Sequence, residues 1–253
     1  MQLKKSLGQH FLKNKNIASR IVNALYEEAD VPDHIVEIGP GSGILTDFLY
    51  IKAKNLTLIE LDKRLIENLE NKYPKATIIQ ADVLRYDWKK IPSDRFAVIG
   101  NFPYNISSQI IFKVLENYKR IPYMVGMFQK EMAKRVSSGP GSKEYGVISV
   151  LSQFYYETQY LFDVDRGEFT PPPAVQSGIL KFFLKNDATI PENVSLIRRI
   201  VKQSFNQRRK TLRNSLKNMI PKDIITDEFF NKRPEQLSLN EFVELSKRLD
   251  ETN

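Results

Sequence analysis

Asn101-Phe102-Pro103-Tyr104, which follows the apolar run Phe96-Ala97-Val98-Ile99-Gly100, is the stretch whose residue types suit chemistry on a planar amine. An apolar run of this length reads as a buried strand, which places Asn101 at its carboxyl end. In open α/β sheets that edge is where ligands bind. The Asn101 side-chain carbonyl and the carbonyl beside Pro103 can each accept a hydrogen bond from an exocyclic NH2 group, and Tyr104 can stack on the ring that carries it. Two acceptors aimed at two N–H bonds favour the pyramidal nitrogen that develops as an amine attacks an electrophile, such as a methyl group. A plain strand-to-loop turn would use the same Asn and Pro, so the assignment depends on what else reaches this edge.

Upstream, Ile35-Val36-Glu37-Ile38 runs into Gly39-Pro40-Gly41-Ser42-Gly43 and then into a helical pattern from 44 to 51. Glycines let backbone approach a ligand closely, and the N–H groups of the following helix face it. A second strand, 55–59, ends in Glu60-Leu61-Asp62, with Glu60 standing 21 residues after Gly39. That is about where a carboxylate binds ribose hydroxyls in a dinucleotide-type βαβ unit. A third strand, 76–80, ends in Ala81-Asp82. The loop is Gly-x-Gly-x-Gly rather than Gly-x-Gly-x-x-Gly, and Glu37 lies two residues before it. A carboxylate there would repel a pyrophosphate, but it suits the cationic methionine end of S-adenosylmethionine. Asp82 can accept from the adenine amino group. Each carboxylate alone would read as a solvated strand end; three in order, followed by Asn101-Phe102-Pro103-Tyr104, specify a methyl-donor site.

The elements that must position these groups follow from periodicity. Residues 16–29 read as an amphipathic helix with Ile17, Ile21, Val22, Leu25 and Ala29 on one face. After Asn101 come a helix at 107–118 with Ser107 as its expected N-cap, a strand at 123–128, a helix at 130–136, a turn-rich loop at 137–146, a helix at 147–154 and strands at 157–164 and 178–184. Between the last two strands lies Phe169-Thr170-Pro171-Pro172-Pro173-Ala174-Val175-Gln176-Ser177. Its prolines make a stiff, donor-free segment able to hold Phe169 over a base, or to pack it in the core. The alternation of strands and helices predicts a Rossmann-like α/β domain over 1–185, including a basic N-terminal arm. After a linker at 186–192, a helical domain follows over 186–253.

That C-terminal segment carries Arg198, Arg199, Lys202, Arg208, Arg209, Lys210, Arg213 and Lys217 between 198 and 217, with no acidic residue. Set beside Phe205, Leu212 and Leu216, the run predicts a helix packed on one side and facing phosphate on the other. The tail at 238–249 is amphipathic through Leu239, Phe242, Val243, Leu245 and Leu249. A net charge of +8 agrees with an anionic partner, nucleic acid before membrane. With no cysteine and only two histidines, His10 and His34, a disulfide framework, a thiol nucleophile and a His-based metal cluster are excluded. No run approaches the length of a transmembrane helix and the basic N-terminus lacks a signal-peptide core, so a soluble cytoplasmic protein is expected.

Taken together, Gly8-Gln9-His10-Phe11-Leu12, Glu37-Ile38-Gly39-Pro40-Gly41-Ser42-Gly43, Glu60-Leu61-Asp62, Asn101 through Ser107, Gln129-Lys130-Glu131, Ser142-Lys143-Glu144-Tyr145-Gly146 and Phe169 through Ser177 resemble the ribosomal RNA adenine dimethylases. The closer likeness is to the KsgA type, which acts on small-subunit rRNA. The resemblance spans residues 8 to about 215 in the family's order. It implies a seven-stranded mixed sheet whose last strand is antiparallel, with a small helical domain after it. The implied reaction is transfer of methyl groups from S-adenosylmethionine to N6 of two adjacent adenosines near the 3′ end of 16S rRNA, two on each. S-adenosylhomocysteine would be the by-product.

By motif position His10, Leu12, Gly39, Glu60, Asp82 and Asn101 would contact the cofactor, Asn101, Pro103 and Tyr104 would hold the amine, and Phe169 would support the base. The resemblance further implies a preassembled, immature small subunit as partner. No metal is expected, and the protein is expected to act as a monomer. His10 stands where the family frequently has Asn, and Phe102 where it frequently has Leu. Two alternatives are the Erm branch, which modifies large-subunit rRNA and gives macrolide resistance, and a small-subunit assembly factor in which methylation is secondary. A DNA adenine methylase uses similar Asn-Pro-aromatic chemistry, but the proline segment and C-terminal domain fit it poorly.

Overall fold

Apolar runs without alternation need cover on both faces, which is the environment of a parallel sheet interior. The computed structural model of the chain, which describes residues 9–185, 193–221 and 224–250, makes the two such runs adjacent central strands. β2 (His34–Ile38) and β5 (Ala97–Asn101) pair in parallel with Ile35 opposite Ala97 and Glu37 opposite Ile99. Gly8 and the 186–192 linker lie outside the described residues. Outward from β2, β3 (Asn55–Glu60) and β4 (Thr77–Gln80) continue the sheet in parallel. On the other side, β6 (Tyr123–Gln129) pairs in parallel with β5, and β9 (Ser177–Leu184) returns antiparallel to β6. With β7 (Tyr156–Val164) at the far edge, the seven-stranded order is β4-β3-β2-β5-β6-β9-β7. Chain order reverses between β2 and β5, the switch point at which doubly wound sheets open a crevice.

Helices α1 (Lys15–Tyr26), α2 (Thr46–Lys52), α3 (Lys63–Lys72) and α4 (Ser107–Glu116) alternate with these strands. α1 is capped by the Asn14 side chain, which accepts from the amides of Asn16 (2.9 Å) and Ile17 (3.3 Å). It buries Ala18, Ile21, Val22, Ala24 and Leu25 and ends at Tyr26, three residues short of the expected end. α3, to which the sequence reading assigns no element, starts on Asp62, whose carboxylate accepts from the Arg64 amide at 3.2 Å. Ser107 is the first residue of α4 rather than its N-cap; its hydroxyl donates to the Tyr104 carbonyl at 3.1 Å and braces the turn before the helix.

A second, two-stranded sheet has no local signal at all. β1 (Phe11–Leu12) pairs antiparallel with β8 (Phe169–Thr170), Leu12 opposite Phe169. It ties the N-terminal arm to the segment preceding the prolines, and the Lys13 amide extends the tie to the Glu168 carbonyl at 2.8 Å.

The chain divides into two compact units, Met1–Ala133 with Thr158–Leu184, and Lys134–Glu157 with Lys185–Asn253. The expected single division at 185/186 is therefore redrawn, with residues 134–157 in the second unit. After α5 (Lys130–Ser137), the cause is α6 (Val147–Tyr155), whose buried Ile148, Leu151 and Phe154 belong with α7 (Val194–Asn206) and α9 (Leu239–Asp250), against which α6 packs. Inside this unit the Phe205 ring meets Tyr145 at 6.1 Å and Phe242 at 6.2 Å between centroids. Among the described residues no helix is long and apolar enough to cross a membrane.

Candidate active site

A cavity of about 210 Å³ opens at the carboxyl ends of β2, β3, β4 and β5. The strand-end residues expected there all line it: Glu37, Gly39, Gly41, Glu60, Asp82, Asn101, Pro103 and Tyr104, together with His10 and Leu12 of the arm. Its wall carries three carboxylates and no Lys or Arg among the described residues, the wrong electrostatics for a pyrophosphate and the right ones for a cationic ligand.

The glycine loop is shaped for close approach. Gly39 (φ +68°) and Gly41 (φ +58°) adopt the left-handed region that side chains avoid, and a Cβ on Gly41 would lie 2.7 Å from the Phe11 ring. Glu37 is 1% exposed, and Thr46 Oγ1 donates to its Oε2 at 2.7 Å. Burial pushes its carboxyl up to about 8, with the nearby Glu60 and Asp47 charges adding to the rise. Glu60, also buried, accepts from the Gly41 amide (Oε2, 3.1 Å) and the Asp62 amide (Oε1, 2.8 Å). Each oxygen keeps a lone pair for a diol, and burial raises this carboxyl too. Asp82 Oδ1 accepts from the Leu84 amide at 2.9 Å, and Oδ2 faces Arg85 at 3.6 Å. A buried acid beside a glycine cradle, a diol-ready carboxylate and the Asp82 carboxylate fit the methionine, ribose and adenine parts of S-adenosylmethionine.

Asn101 is held in one orientation. Its Nδ2 donates to the His10 carbonyl at 2.9 Å, so the side-chain Oδ1 is left as an acceptor. The Pro103 carbonyl accepts the Ile106 amide at 3.1 Å, whereas among the described residues no turn bond ends on the Phe102 carbonyl. His10 also stacks on Tyr104, with ring centroids 5.7 Å apart and planes inclined by 25°. Its Nδ1 lies 2.8 Å from the Pro171 carbonyl; because a carbonyl only accepts, Nδ1 carries the proton. The Tyr104 hydroxyl meets Ser177 Oγ, and burial raises its pKa above the ordinary tyrosine value, keeping a neutral phenol.

Phe169 is not brought to this site. It is 1% exposed, packed in the apolar core, and absent from the cavity wall. The expectation that its ring supports a base is corrected: pairing with β1 turns it inward, and the segment instead contributes the Pro171 carbonyl and Ser177. The basic run is also redistributed. α7 carries Arg198, Arg199 and Lys202 but ends at Asn206; Arg208, Arg209 and Lys210 lie on the turn before α8 (Leu212–Ser215). There the Leu212 amide is drawn to the Lys232 carbonyl at 2.8 Å, which ends the expected continuous helix. Arg208 donates to the Ser142 carbonyl at 3.1 Å; among the described residues no carboxylate pairs with any of the six.

Several contributors carry no local signal. Gln9 Nε2 donates to Asp62 Oδ2 at 2.9 Å and anchors the arm beside Glu60, whose Oε1 accepts the Asp62 amide. Ser177, fully buried, belongs to the proline-segment motif, yet its partner is 73 positions away. Gly100 and Gly126 are register partners, and the Phe102 ring fills the space their missing side chains leave. Only their glycine identity in otherwise apolar strands could have marked them.

The comparisons with known proteins agree with this geometry. The family model described as ribosomal RNA adenine dimethylase matches residues 1–250. The chain is 46% identical over 254 residues to the ribosomal RNA small subunit methyltransferase A of Flavobacterium johnsoniae, covering 99% of this chain and 97% of that protein. It is 48% identical to the protein of that name from Parabacteroides distasonis, covering 96% and 92%. Among solved structures, a dimethyladenosine transferase from Plasmodium falciparum superposes with a TM-score of 0.83 at 25% identity, over 96% of this chain and 98% of that one. The 23S rRNA methyltransferase ErmE shares the fold, with a TM-score of 0.75 at 24% identity over 95% and 99%. The chain belongs to the ribosomal RNA adenine dimethylases.

Proposed function

We propose that this S-adenosylmethionine-dependent methyltransferase dimethylates N6 of two adjacent adenosines near the 3′ end of 16S rRNA, acting as a cytoplasmic monomer on an immature small subunit. The observation that carries the chemistry is the Asn101 carboxamide, oriented by the His10 backbone so that its oxygen remains to accept an N–H. When bound, S-adenosylmethionine supplies a methyl carbon made electrophilic by its sulfonium, open to in-line displacement by N6. Asn101 Oδ1 and the carbonyl beside Pro103 take the two N6–H bonds and favour the pyramidal nitrogen. The face of Tyr104 turned away from His10 stacks on the adenine, which must leave its own stack to reach the cavity. No side chain becomes a covalent nucleophile; positioning and charge complementarity supply the acceleration. The one-sided basic residues Arg198, Arg199, Lys202, Arg208, Arg209 and Lys210 supply the contacts to rRNA phosphate.

The test is transfer of labelled methyl to small subunits lacking these modifications, followed by nucleoside analysis. N6,N6-dimethyladenosine in 16S rRNA is the expected product. Label in 23S rRNA instead would move the protein to the Erm branch, and no label in either RNA would overturn the reading.

Glu37 adds a pH signature. Its folded-state value of about 8 lies above the ordinary 4.5, so its contribution to stability is complete below pH 4.5 and is lost as pH rises through 8. A cationic methionine end favours the ionised form and expels the proton. Affinity for S-adenosylmethionine should therefore rise up to about tenfold per pH unit between about pH 5.5 and 7.5. Glu37→Gln should flatten that slope. Calorimetry in buffers of different ionisation enthalpy would show the released proton; a wild-type affinity independent of pH would refute the assignment.

A further inference from the structure

The second unit contains a recess of about 170 Å³ that the methyl-transfer chemistry does not use. Around it stand four primary carboxamides, those of Gln203 and Gln207 from the end of α7 and those of Asn214 and Asn218 from α8 and just beyond, with Lys217 and Ser215 between them. Two of the amides are oriented. Gln203 Nε2 donates to the Ser215 carbonyl at 3.1 Å, and Asn214 Nδ2 donates to the Thr211 hydroxyl at 3.2 Å, so each keeps its side-chain oxygen as an acceptor. Gln207 and Asn218 are exposed, and among the described residues neither side-chain amide has a hydrogen-bond partner, so both can still donate and accept. Among the described residues no carboxylate lines the recess, and buried Leu216 contributes an apolar side chain to its lining.

This composition suits one chemical class. Fixed acceptors match the N–H bonds of an exocyclic amine, adaptable amides match the ring nitrogens beside it, and an ammonium at the rim matches phosphate. The recess also lies on the chain that bears Arg208, Arg209 and Lys210, which separate Gln207 from Thr211. We propose that the recess is a nucleotide-binding site that takes one unpaired, amino-bearing base of the RNA substrate, with Lys217 on its phosphate. The proposal rests on the function proposed above and adds to it a base contact made outside the catalytic cavity.

The test measures methyl transfer by the full-length protein to unmodified small subunits over a range of salt concentrations. The variants are Gln207→Ala/Asn218→Ala and Lys217→Ala, all at exposed positions. For the double variant, KM should rise about tenfold, with kcat, S-adenosylmethionine affinity and the slope of log KM against log salt unchanged, because neutral base contacts release no counterions. Lys217→Ala should lower that slope by about one. A double variant with wild-type KM overturns the site while leaving the function standing, and a raised KM with a reduced slope shows mere phosphate contact and also overturns it. If wild type labels neither rRNA, the function and the site fall together.

Discussion

Asn101→Ala is expected to lower kcat for methyl transfer to small subunits by about 10²- to 10³-fold, the magnitude seen when one preorganised hydrogen-bonding partner of a transition state is removed. Asn101 supplies the acceptor whose orientation the structure explains, since its nitrogen is committed to the His10 carbonyl at 2.9 Å. Asn101→Asp is the sharper probe. It keeps an acceptor of the same size but cannot donate to the His10 carbonyl, so its amine-facing geometry is lost while charge is added. Both variants should still bind S-adenosylmethionine, because Glu37, Glu60 and the glycine loop are untouched. Both should also still sediment with immature subunits. Single-turnover label transfer, read alongside cofactor binding, checks this. Near-normal turnover by Asn101→Ala with cofactor bound would show that N6 is not activated through this side chain. A dead variant that nonetheless supported subunit maturation would favour the assembly-factor role.

Gly126→Ala is expected to produce the second-largest effect, although position 126 does not line the cavity. A Cβ there would run into the Phe102 ring and would lie 2.8 Å from Phe128, whose own ring sits edge-on to Phe102 at 5.2 Å. Phe102 is fully buried and joins Asn101 to Pro103, so a displaced ring carries both neighbours with it. Overpacking of this kind costs about 1–3 kcal/mol, measurable by urea unfolding. A displacement of about 1 Å at the acceptors costs about 100-fold in kcat. The smaller Leu at 102 should relieve the clash, so Gly126→Ala/Phe102→Leu should recover most of both losses. Recovery of stability without activity would mean that Phe102 serves the core alone; a wild-type-like Gly126→Ala would refute the coupling.

That pair also shows where reading a sequence stops. The Gly-x-Gly-x-Gly loop, the acids at 37, 60 and 82 and the Asn101 motif are legible because each is a local pattern: an apolar run, its end, and a residue type placed there. Parallel strands put all such ends on one edge, so naming the strands already assembled the carboxylate wall. α3 carries no clear apolar period because its charged face interrupts it, and the basic segment reads as one helix because nothing within it announces the Leu212–Lys232 tie beyond the end of α7.

The sequence by itself determined the fold class, the cofactor chemistry and the placing of Asn101-Phe102-Pro103-Tyr104 at a strand end, since these rest on periodicity and on residues within a few positions of each other. Tertiary structure alone decided how that motif is aimed. Asn101 is oriented across 91 positions by His10, His10 across 161 by Pro171, and Tyr104 across 73 by Ser177. It alone also buried Phe169 and joined residues 134–157 to the helical unit. The physical reason is common to all of these. Each depends on which distant backbone or apolar face pairs with which, a choice made by burial and hydrogen-bond satisfaction over the whole chain rather than by any local period.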